Sequence, residues 1–400
     1  TTVTLMCDEA QARRVVGRRH RVDRRRSPAA IVAAVAALVM VGGCVGATNV
    51  SERRASARGS TSTPTSTPTT APAGCAASLG ASERLGQLMM VLVSDPRVVA
   101  ADLAAGRVGG FAIVGTPPAD LADAITEARR GAWLPPFASG DEEGGSVQRL
   151  RELLGKLPSA RSLASSSTPE EAARLHGDYA TRLRGLGFTM NLGPVFDVGS
   201  GSGLGDRTFG TDVDTVVRYA LPVAQAVRAA GLIPVAKHWP GIGRGTADPH
   251  TARSDVGSID RLRSSDLVAF DRAIEGDVPA VMVSHVVVDG LTDGLPASIS
   301  APAITGELRG RQHFDGLVIT DSLGMDAVLE GRTEPEAALA ALRAGADVVL
   351  ISGPAQVAPT LARLTAALDA GELGATDVER SVARVLALKG IAGACPPRPA

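Results

Sequence analysis

The chain has 400 residues, of which 44% are hydrophobic and 21% are charged, and its formal net charge is −1. This composition is typical of a globular protein with a large core, and the near-zero charge argues against a nucleic-acid-binding protein, which normally carries a basic face. Aromatic residues make up only 3% of the chain, which argues against a carbohydrate-binding module, and four cysteines are too few for a disulfide-built scaffold.

Residues 1–43 have the features of a secretory signal peptide. Eight arginines precede the apolar run 29–41, which is followed by Gly42, Gly43 and Cys44. This order is typical of a signal peptide, and the run is shorter than the ~20 residues that a membrane-spanning helix needs. An uncleaved anchor and a buried core helix are the alternatives. The end of the run resembles a bacterial lipobox, which implies cleavage before Cys44 and lipidation of that residue.

Residues 44–75 are predicted to form a disordered tether. The segment 60–70 contains only Ser, Thr and Pro, so it cannot contribute to a core. Cys75 ends the tether, and Cys395 lies at the other end of the folded region. In an oxidising compartment such a pair suggests a disulfide, and a closed barrel would bring its first and last elements together. Two free thiols are the alternative.

Residues 76–395 are predicted to form one catalytic domain in which strands and helices alternate. Eight runs are too uniformly apolar for half-exposed antiparallel strands and suit parallel strands buried on both faces. Helical patterns at 169–184, 212–230, 259–274 and 335–344 have acidic first turns or glycine stops. Eight alternations predict an α/β fold, a single (β/α)8 barrel of the TIM type. A doubly wound sheet is the alternative, but no G-x-G-x-x-G follows an early strand. The predicted strands are Leu88–Val93, Val108–Val114, Pro136–Ser139, Phe188–Leu192, Ile233–Ala236, Ala280–Val283, Gly316–Thr320 and Asp347–Ile351.

In such a barrel the chemistry lies at the carboxyl ends of the strands. Asp321 follows the apolar run 317–319, so its carboxylate is expected at the mouth of the barrel, where it could attack an electrophilic carbon. A helix N-cap is an equally good interpretation, because Asp and Ser both favour that position.

Two further pairs of residues are candidates for chemistry. Asp248 and His250 would point to the same side of an extended chain, and the carboxylate could orient the imidazole of a general acid and base. A surface ion pair on a glycine-rich loop is the alternative. Lys237 and His238 end the fifth strand and could bind substrate hydroxyls or pair with neighbouring carboxylates. For Arg207, a local salt bridge with the preceding Asp is the simplest interpretation.

Five motifs occur in a fixed order and together resemble glycoside hydrolase family 3, in its single-domain, NagZ-type β-N-acetylglucosaminidase branch. The resemblance covers roughly residues 80–390, and the lipobox and tether are similar to those of the actinobacterial lipoprotein members. The motifs are Asp141-x-Glu143-Gly144-Gly145-x-Val147-Gln148-Arg149, Gly205-Asp206-Arg207-x-Phe209-Gly210, Lys237-His238-Trp239-Pro240-Gly241, Asp248-x-His250 and Thr320-Asp321-Ser322-Leu323-Gly324-Met325.

The resemblance implies a role for each of these residues. Asp321 would be the nucleophile that forms a covalent glycosyl-enzyme, with His250 as acid and base and Asp248 as its partner, and the anomeric configuration would be retained by double displacement. A mobile loop that delivers His250 only when sugar is bound is a further hypothesis. The substrate-binding residues would be Asp141, Arg149, Arg207, Lys237 and His238.

The length of the chain after the barrel selects the branch. Strand eight ends near 351, and the about 50 residues that follow fit helices at 354–369 and 376–390 and no second domain. Two-domain relatives, mostly β-glucosidases, take their acid/base from a second domain, so here it would come from a barrel loop. The chain departs from the family pattern at Ser146, Ile242 and Pro249, which bears on loop mobility and aglycone preference.

We therefore expect a retaining exo-β-N-acetylglucosaminidase that removes terminal β-linked GlcNAc from cell-wall muropeptides (GlcNAc-MurNAc) in peptidoglycan recycling. It would act without a cofactor or metal, as a monomer anchored through Cys44 to the outer side of the cell membrane, with no nucleic-acid partner. The alternatives are a β-glucosidase or β-xylosidase of the same family and a non-catalytic, surface-anchored sugar-binding lipoprotein. A metallohydrolase is disfavoured because no H-x-H follows strand one.

Overall fold

The computed structural model describes residues 74–201, 203–248 and 251–398. The predicted signal peptide, the lipidation site Cys44 and nearly all of the tether lie outside the described residues, and so does His250. What the sequence predicts for those residues stays a prediction.

The centre of the fold is an eight-stranded parallel sheet, and each of its strands overlaps one predicted strand. Most of these strands are buried along their whole length, as expected for strands that helices cover on the outside and that enclose a packed interior. The strands are β1 Met89–Val93, β2 Gly110–Ile113, β3 Phe137–Gly140, β4 Glu142–Gly144, β5 Val147–Gln148, β6 Met190–Asn191, β7 Ile233–Trp239, β8 Asp255–Ser258, β9 Ala280–Val283, β10 Val287–Asp289, β11 Leu317–Ser322 and β12 Val348–Ile351.

The order of the strands makes the sheet a barrel. It runs β3-β2-β1-β12-β11-β9-β7-β6, so barrel strands that follow one another along the chain lie side by side. The two edges, β3 and β6, are joined by backbone hydrogen bonds from Thr189 N to Ala138 O at 2.9 Å and from Leu192 N to Gly140 O at 3.0 Å. The predicted (β/α)8 barrel is therefore confirmed, and the doubly wound alternative is wrong.

Helices connect the barrel strands and begin where the sequence supplies caps. At α7, Thr168 accepts from the Glu171 N–H and the Glu171 side chain accepts from the Thr168 N–H, with Pro169 in the first turn. No helix of the described residues is long and apolar enough to span a bilayer. The α-helices are α1 Cys75–Ser78, α2 Ala81–Gln87, α3 Ala100–Ala104, α4 Leu121–Arg129, α5 Arg151–Leu154, α6 Ala160–Ser166, α7 Pro169–Gly185, α8 Val213–Ala229, α9 Ile259–Arg263, α10 Asp266–Glu275, α11 Asp326–Leu329, α12 Glu334–Ala344, α13 Val357–Asp369 and α14 Ala375–Leu388, with 3₁₀ turns at Pro96–Val99, Ala297–Ile299 and Pro354–Gln356 and a π-helix at Pro302–Arg311.

One predicted helix, 259–274, is divided in two. The hydroxyls of Ser264 and Ser265 both donate to the carbonyl oxygen of Arg261 at 2.9 Å. Serine side chains that bond to nearby backbone compete with the helical ladder, so α9 ends at Arg263 and α10 begins at Asp266.

Two small strand pairs at the mouth of the barrel were not predicted. In the antiparallel pair of β4 and β5, Glu142 lies opposite Gln148, which returns the chain toward the end of β3. In the parallel pair of β8 and β10, Asp255 lies opposite Val287. The second pair fixes the chain directly after the loop 241–251.

The two ends of the barrel region are covalently joined. A disulfide links Cys75 and Cys395, whose Cα atoms are 4.5 Å apart, and the Cys75 N–H donates to Gly393 O at 2.7 Å. The sequence left open a disulfide or two free thiols, and the structure contains the disulfide.

Candidate active site

A cavity of about 390 Å³ opens at the carboxyl ends of the barrel strands. Apolar side chains such as Leu92, Val114 and Met325 form part of its wall. The predicted nucleophile and all five predicted substrate-binding residues also line it, namely Asp141, Arg149, Arg207, Lys237, His238 and Asp321. Residues as far apart in sequence as 141 and 321 are thus brought to one pocket.

Asp321 lies inside β11, with its side chain only partly exposed. Its Oδ1 accepts a hydrogen bond from the Ser322 N–H at 2.8 Å. The next helix, α11, begins at Asp326 and has Met325 as its N-cap residue, so the N-cap interpretation of Asp321 is wrong. The carboxylate instead stands at the strand end, on the wall of the cavity.

The surroundings of Asp321 favour its ionised form. Burial alone would raise the pKa of its carboxyl, but the neighbouring His238, His285 and Lys237 and the Ser322 N–H hold that pKa below its usual range. An ionised carboxylate in a polar cavity is the state that nucleophilic attack requires.

Lys237 is held between two carboxylates. Its Nζ lies 2.7 Å from Asp141 Oδ1 and 2.6 Å from Glu143 Oε1. Burial would lower the pKa of Lys237, but the two carboxylates raise it overall, and the cations beside Glu143 hold the pKa of Glu143 far below its usual range despite burial. Lys237 therefore pairs with carboxylates, as one of the two interpretations expected, and it also lines the cavity.

Arg207 is fixed by a two-pronged ion pair. Its Nε and Nη2 each donate to Glu143 at 2.8 Å, so the local salt bridge with Asp206 is not the pairing found. Asp206 instead accepts a hydrogen bond from Ser146 at 2.6 Å. A bidentate pair fixes the plane of the guanidinium, which leaves the remaining donors of Arg207 pointing in defined directions.

His238 has a partner at each ring nitrogen. Its Nδ1 lies 2.7 Å from Asp197 Oδ2, and its Nε2 lies 3.0 Å from Arg207 Nη2. A guanidinium can only donate, so Nε2 must accept and the ring proton must lie on Nδ1, from where it is donated to Asp197. This tautomer is assigned from the partners, and it occupies Nε2, which disfavours His238 as the general acid.

The base of the loop 241–251 is tied to the barrel. The Ile242 N–H donates to Asp197 Oδ1 at 2.8 Å. The Nε of Arg244 donates to the buried Asp266 at 2.9 Å. The loop therefore leaves the barrel in a fixed direction at its first residues.

Asp248, farther along this loop, lies beside the pocket wall. A Cβ atom at Gly203 would lie 2.9 Å from Asp248 Cγ, so glycine is needed there for the carboxylate to approach. Gly203 O in turn accepts from Arg207 Nη1 at 3.3 Å. Because His250 lies outside the described residues, its pairing with Asp248 stays a prediction.

Three further residues belong to the site although the sequence analysis gave none of them a role. Asp197 and Glu143 orient cavity-lining side chains, as described above. His285 is fully buried, and its Nε2 lies 2.9 Å from the carbonyl oxygen of Ser322, the residue directly after Asp321. Their signal was the same as that of Asp321, a polar residue at a barrel strand end, but the sequence could not indicate which partner each would meet.

The described residues contain no cluster of three or more His, Cys, Asp or Glu side chains that could hold a metal ion. The polar part of the cavity wall instead consists largely of cations that pair with neighbouring carboxylates. This donor pattern suits a polar, uncharged ligand with several hydroxyl groups.

Comparisons with known proteins agree with this geometry. The family model described as Glycosyl hydrolase family 3 N terminal domain matches residues 81–388. The chain belongs to glycosyl hydrolase family 3. The match begins and ends within two residues of the span that the motifs indicated, and it includes each described residue of the cavity wall.

Within glycosyl hydrolase family 3, the chain is similar to proteins named for hexosaminidase activity. It is 40% identical to Beta-hexosaminidase LpqI of Mycobacterium tuberculosis over 325 residues, 78% of this chain and 84% of that protein. The solved structure of M. tuberculosis LpqI superposes with a TM-score of 0.76 at 40% identity, covering 80% of this chain and 98% of the other. A family 3 beta-N-acetylglucosaminidase from Paenibacillus sp. superposes with a TM-score of 0.75 at 30% identity, covering 78% of this chain and 63% of the other.

Proposed function

We propose that this chain is a retaining exo-β-N-acetylglucosaminidase, a glycoside hydrolase that releases terminal β-linked GlcNAc by double displacement. The observation that carries the proposal is the position of the Asp321 carboxylate in the same cavity as five sugar-binding candidates. The relatives named beta-hexosaminidase and beta-N-acetylglucosaminidase support GlcNAc as the terminal sugar.

The first chemical step forms a covalent intermediate. The Asp321 carboxylate attacks the anomeric carbon, the bond from that carbon to the leaving oxygen breaks, and the oxygen takes a proton from the His250 imidazolium. The neutral imidazole then accepts a proton from water as the water attacks the same carbon and displaces Asp321. Two inversions give net retention.

The cavity wall supplies the groups that orient the sugar. Lys237 and Arg207 can donate to hydroxyl oxygens, and Asp141 can accept from hydroxyl hydrogens, because each is held in place by a neighbour of opposite charge. A cavity of about 390 Å³ lies at the small end of the range for ligand sites. This size favours a single terminal sugar and thus an exo mode of action.

The cellular part of the proposal rests on the sequence. The basic segment, apolar run and Cys44 support export and lipid anchoring, which would place the enzyme on the outer side of the cell membrane. Muropeptides carrying GlcNAc-MurNAc are the β-GlcNAc substrates found there, so we propose a role in peptidoglycan recycling, with the enzyme acting as a monomer. The wild-type protein should incorporate a labelled fatty acid and a Cys44→Ser variant should not, whereas labelling that persists without Cys44 would contradict the anchor.

A substrate panel tests the catalytic proposal. Chromogenic β-GlcNAc, β-glucoside and β-xyloside with the same leaving group should show a clear preference for β-GlcNAc in kcat/KM. A preference for the glucoside or xyloside would favour the alternative function, a β-glucosidase or β-xylosidase of the same family. No turnover of any of them by the folded protein, together with sugar binding, would favour a non-catalytic sugar-binding protein.

A further inference from the structure

Asp197 is a fully buried carboxylate that touches two different parts of the site. Its Oδ2 accepts from His238 Nδ1 at 2.7 Å and from the His238 backbone N–H at 3.2 Å. Its Oδ1 accepts from the Ile242 N–H at 2.8 Å. One side chain thus holds both a residue that lines the sugar cavity and the first residues of the loop that leads to Asp248.

We infer that Asp197 is a positioning residue that couples the sugar-binding His238 to the acid/base loop. A single rigid carboxylate with an oxygen on each part lets the ring and the loop base move only together. Partners behind a ligand-contacting histidine set its tautomer and its orientation. The inference rests on the proposed function, because it assigns the loop to proton transfer.

The exchange Asp197→Asn tests this because it alters hydrogen bonding while nearly preserving shape. An amide has one accepting and one donating end. If the oxygen faces Ile242, the amide NH₂ faces two donors of His238. The ring could then accept only through the tautomer with its proton on Nε2, which would point at the donating Nη2 of Arg207. If the amide is flipped, its NH₂ faces the Ile242 N–H, so a conflict arises in either orientation.

The dependence of the rate on the leaving group separates the effect of the Asp197 contact with His238 from that of its contact with Ile242. In D197N we expect KM for β-GlcNAc substrates to rise about 10-fold, the lower end of what loss of such a partner costs. We also expect kcat/KM to fall about 10-fold more for an alkyl or sugar leaving group than for 2,4-dinitrophenolate, because a misplaced acid matters more when the leaving group needs a proton.

A double variant tests whether Asp197 acts on the loop independently of the His238 ring. In a H238A background the ring is absent, so D197N can act only through the two backbone N–H groups that donate to Asp197, those of residue 238 and Ile242. A further loss of about 10-fold for the poor leaving group, with little change for the good one, supports the coupling. If D197N has no further effect in that background, Asp197 acts on His238 alone and the inference is overturned.

A matched control separates positioning from stability. Asp347 is also a fully buried aspartate that accepts from a backbone N–H, that of Val318, but it lies at the opposite end of the barrel. D347N should lower the Tm without a leaving-group effect. If D197N behaves in the same way, with unchanged kinetics per folded molecule, Asp197 is only structural.

A spectroscopic test does not depend on turnover, and its wild-type measurement needs no variant. With ¹⁵N-labelled histidine, wild-type His238 should show a protonated Nδ1 and an unprotonated Nε2, and D197N should alter that pattern. A wild-type ring protonated on Nε2 would overturn the inference even if the enzyme hydrolyses β-GlcNAc. Absence of hydrolysis with the expected ring signals would instead count against the proposed function.

Discussion

At the amino end of the barrel strands, Asp347 accepts from Arg309 Nη2 at 2.6 Å and from Arg384 Nη1 at 3.0 Å. At the carboxyl end, Glu143 accepts from Arg207 at 2.8 Å and lies 2.6 Å from Lys237 Nζ. Both carboxylates are buried and each meets two cations. In the lower cluster, around Asp347, the cations bind Asp347 and nearby backbone carbonyls, and Arg309 also stacks on Phe314. In the upper cluster, around Glu143, both cations also line the cavity.

The comparison separates stability from function. Removing one partner of a buried ion pair is costly wherever it lies, because it leaves an uncompensated charge. Only at the upper end does the same change also release donors that line the cavity. Variants of matched chemistry at the two ends should therefore differ in kinetics much more than in stability.

The largest expected effect is that of Asp321→Asn. The carboxylate is replaced by a neutral group that cannot form the glycosyl-enzyme, so kcat/KM for a β-GlcNAc substrate should fall about 10⁴-fold or more. The Tm should change little, because Asp321 is partly exposed and accepts from the N–H of its own neighbour. A residual rate within 100-fold of wild type would reject Asp321 as the nucleophile, and labelling by a fluorosugar would then identify the residue that is.

The next largest effect is that of Glu143→Gln, which should reduce both stability and substrate binding. Lys237 and Arg207 lose their shared counter-charge, so the free energy of unfolding should fall by about 3 kcal/mol, and KM should rise because both donors become mobile. Thermal unfolding and steady-state kinetics on the same sample measure this. A normal KM with reduced stability would mean that Glu143 resembles Asp347 and that the contrast between the two ends is wrong.

The lower cluster gives the matched case. Asp347→Asn should also lower the free energy of unfolding by about 3 kcal/mol, because Arg309 and Arg384 lose their carboxylate. Its kcat/KM, corrected for the folded fraction, should stay within about twofold of wild type, since none of the side chains that pair with Asp347 lines the cavity. A large kinetic loss would show that strain at the amino end reaches the cavity.

The sequence predicts which strands and strand ends form the site better than it predicts which side chains contact one another there. Apolar runs, several of them bounded by glycine or proline, place all eight barrel strands, and strand ends locate Asp141, Lys237 and Asp321. The pairing of Glu143 with Arg207 joins residues 64 positions apart, so it depends on how two loops meet above the barrel. Short-range patterns carry no information on such contacts.

The same limit explains the errors in local structure. A helical pattern runs through 259–274, but two adjacent serines bond back to Arg261 and end the helix there. The pair of β8 and β10 depends on loops that lie next to each other only after the barrel closes. The pairing of Asp248 with His250 stays a prediction from the sequence motif.

The smallest expected effect on activity comes from Glu142, which lies behind the cavity wall and should make stability depend on pH. Burial raises the pKa of Glu142 to about 7, although Tyr179 and the N–H groups of Arg149 and Leu150 donate to its carboxylate. In the folded state this group keeps its proton at pH values where the unfolded chain, with a pKa near 4.5, has lost it. Its contribution to stability is therefore complete below about pH 4.5 and is lost as the pH rises toward 7.

The isosteric exchange Glu142→Gln isolates this contribution. A neutral amide can still accept from the two backbone N–H groups and donate to the Tyr179 oxygen, but it does not titrate. Between pH 5 and 8, the Tm of wild type should fall relative to that of E142Q, and the difference should be the pH-dependent part alone. Parallel Tm curves across that range would mean that the donors around Glu142 keep it ionised throughout, and that the hairpin carrying Arg149 is held by charge at every pH at which the enzyme works.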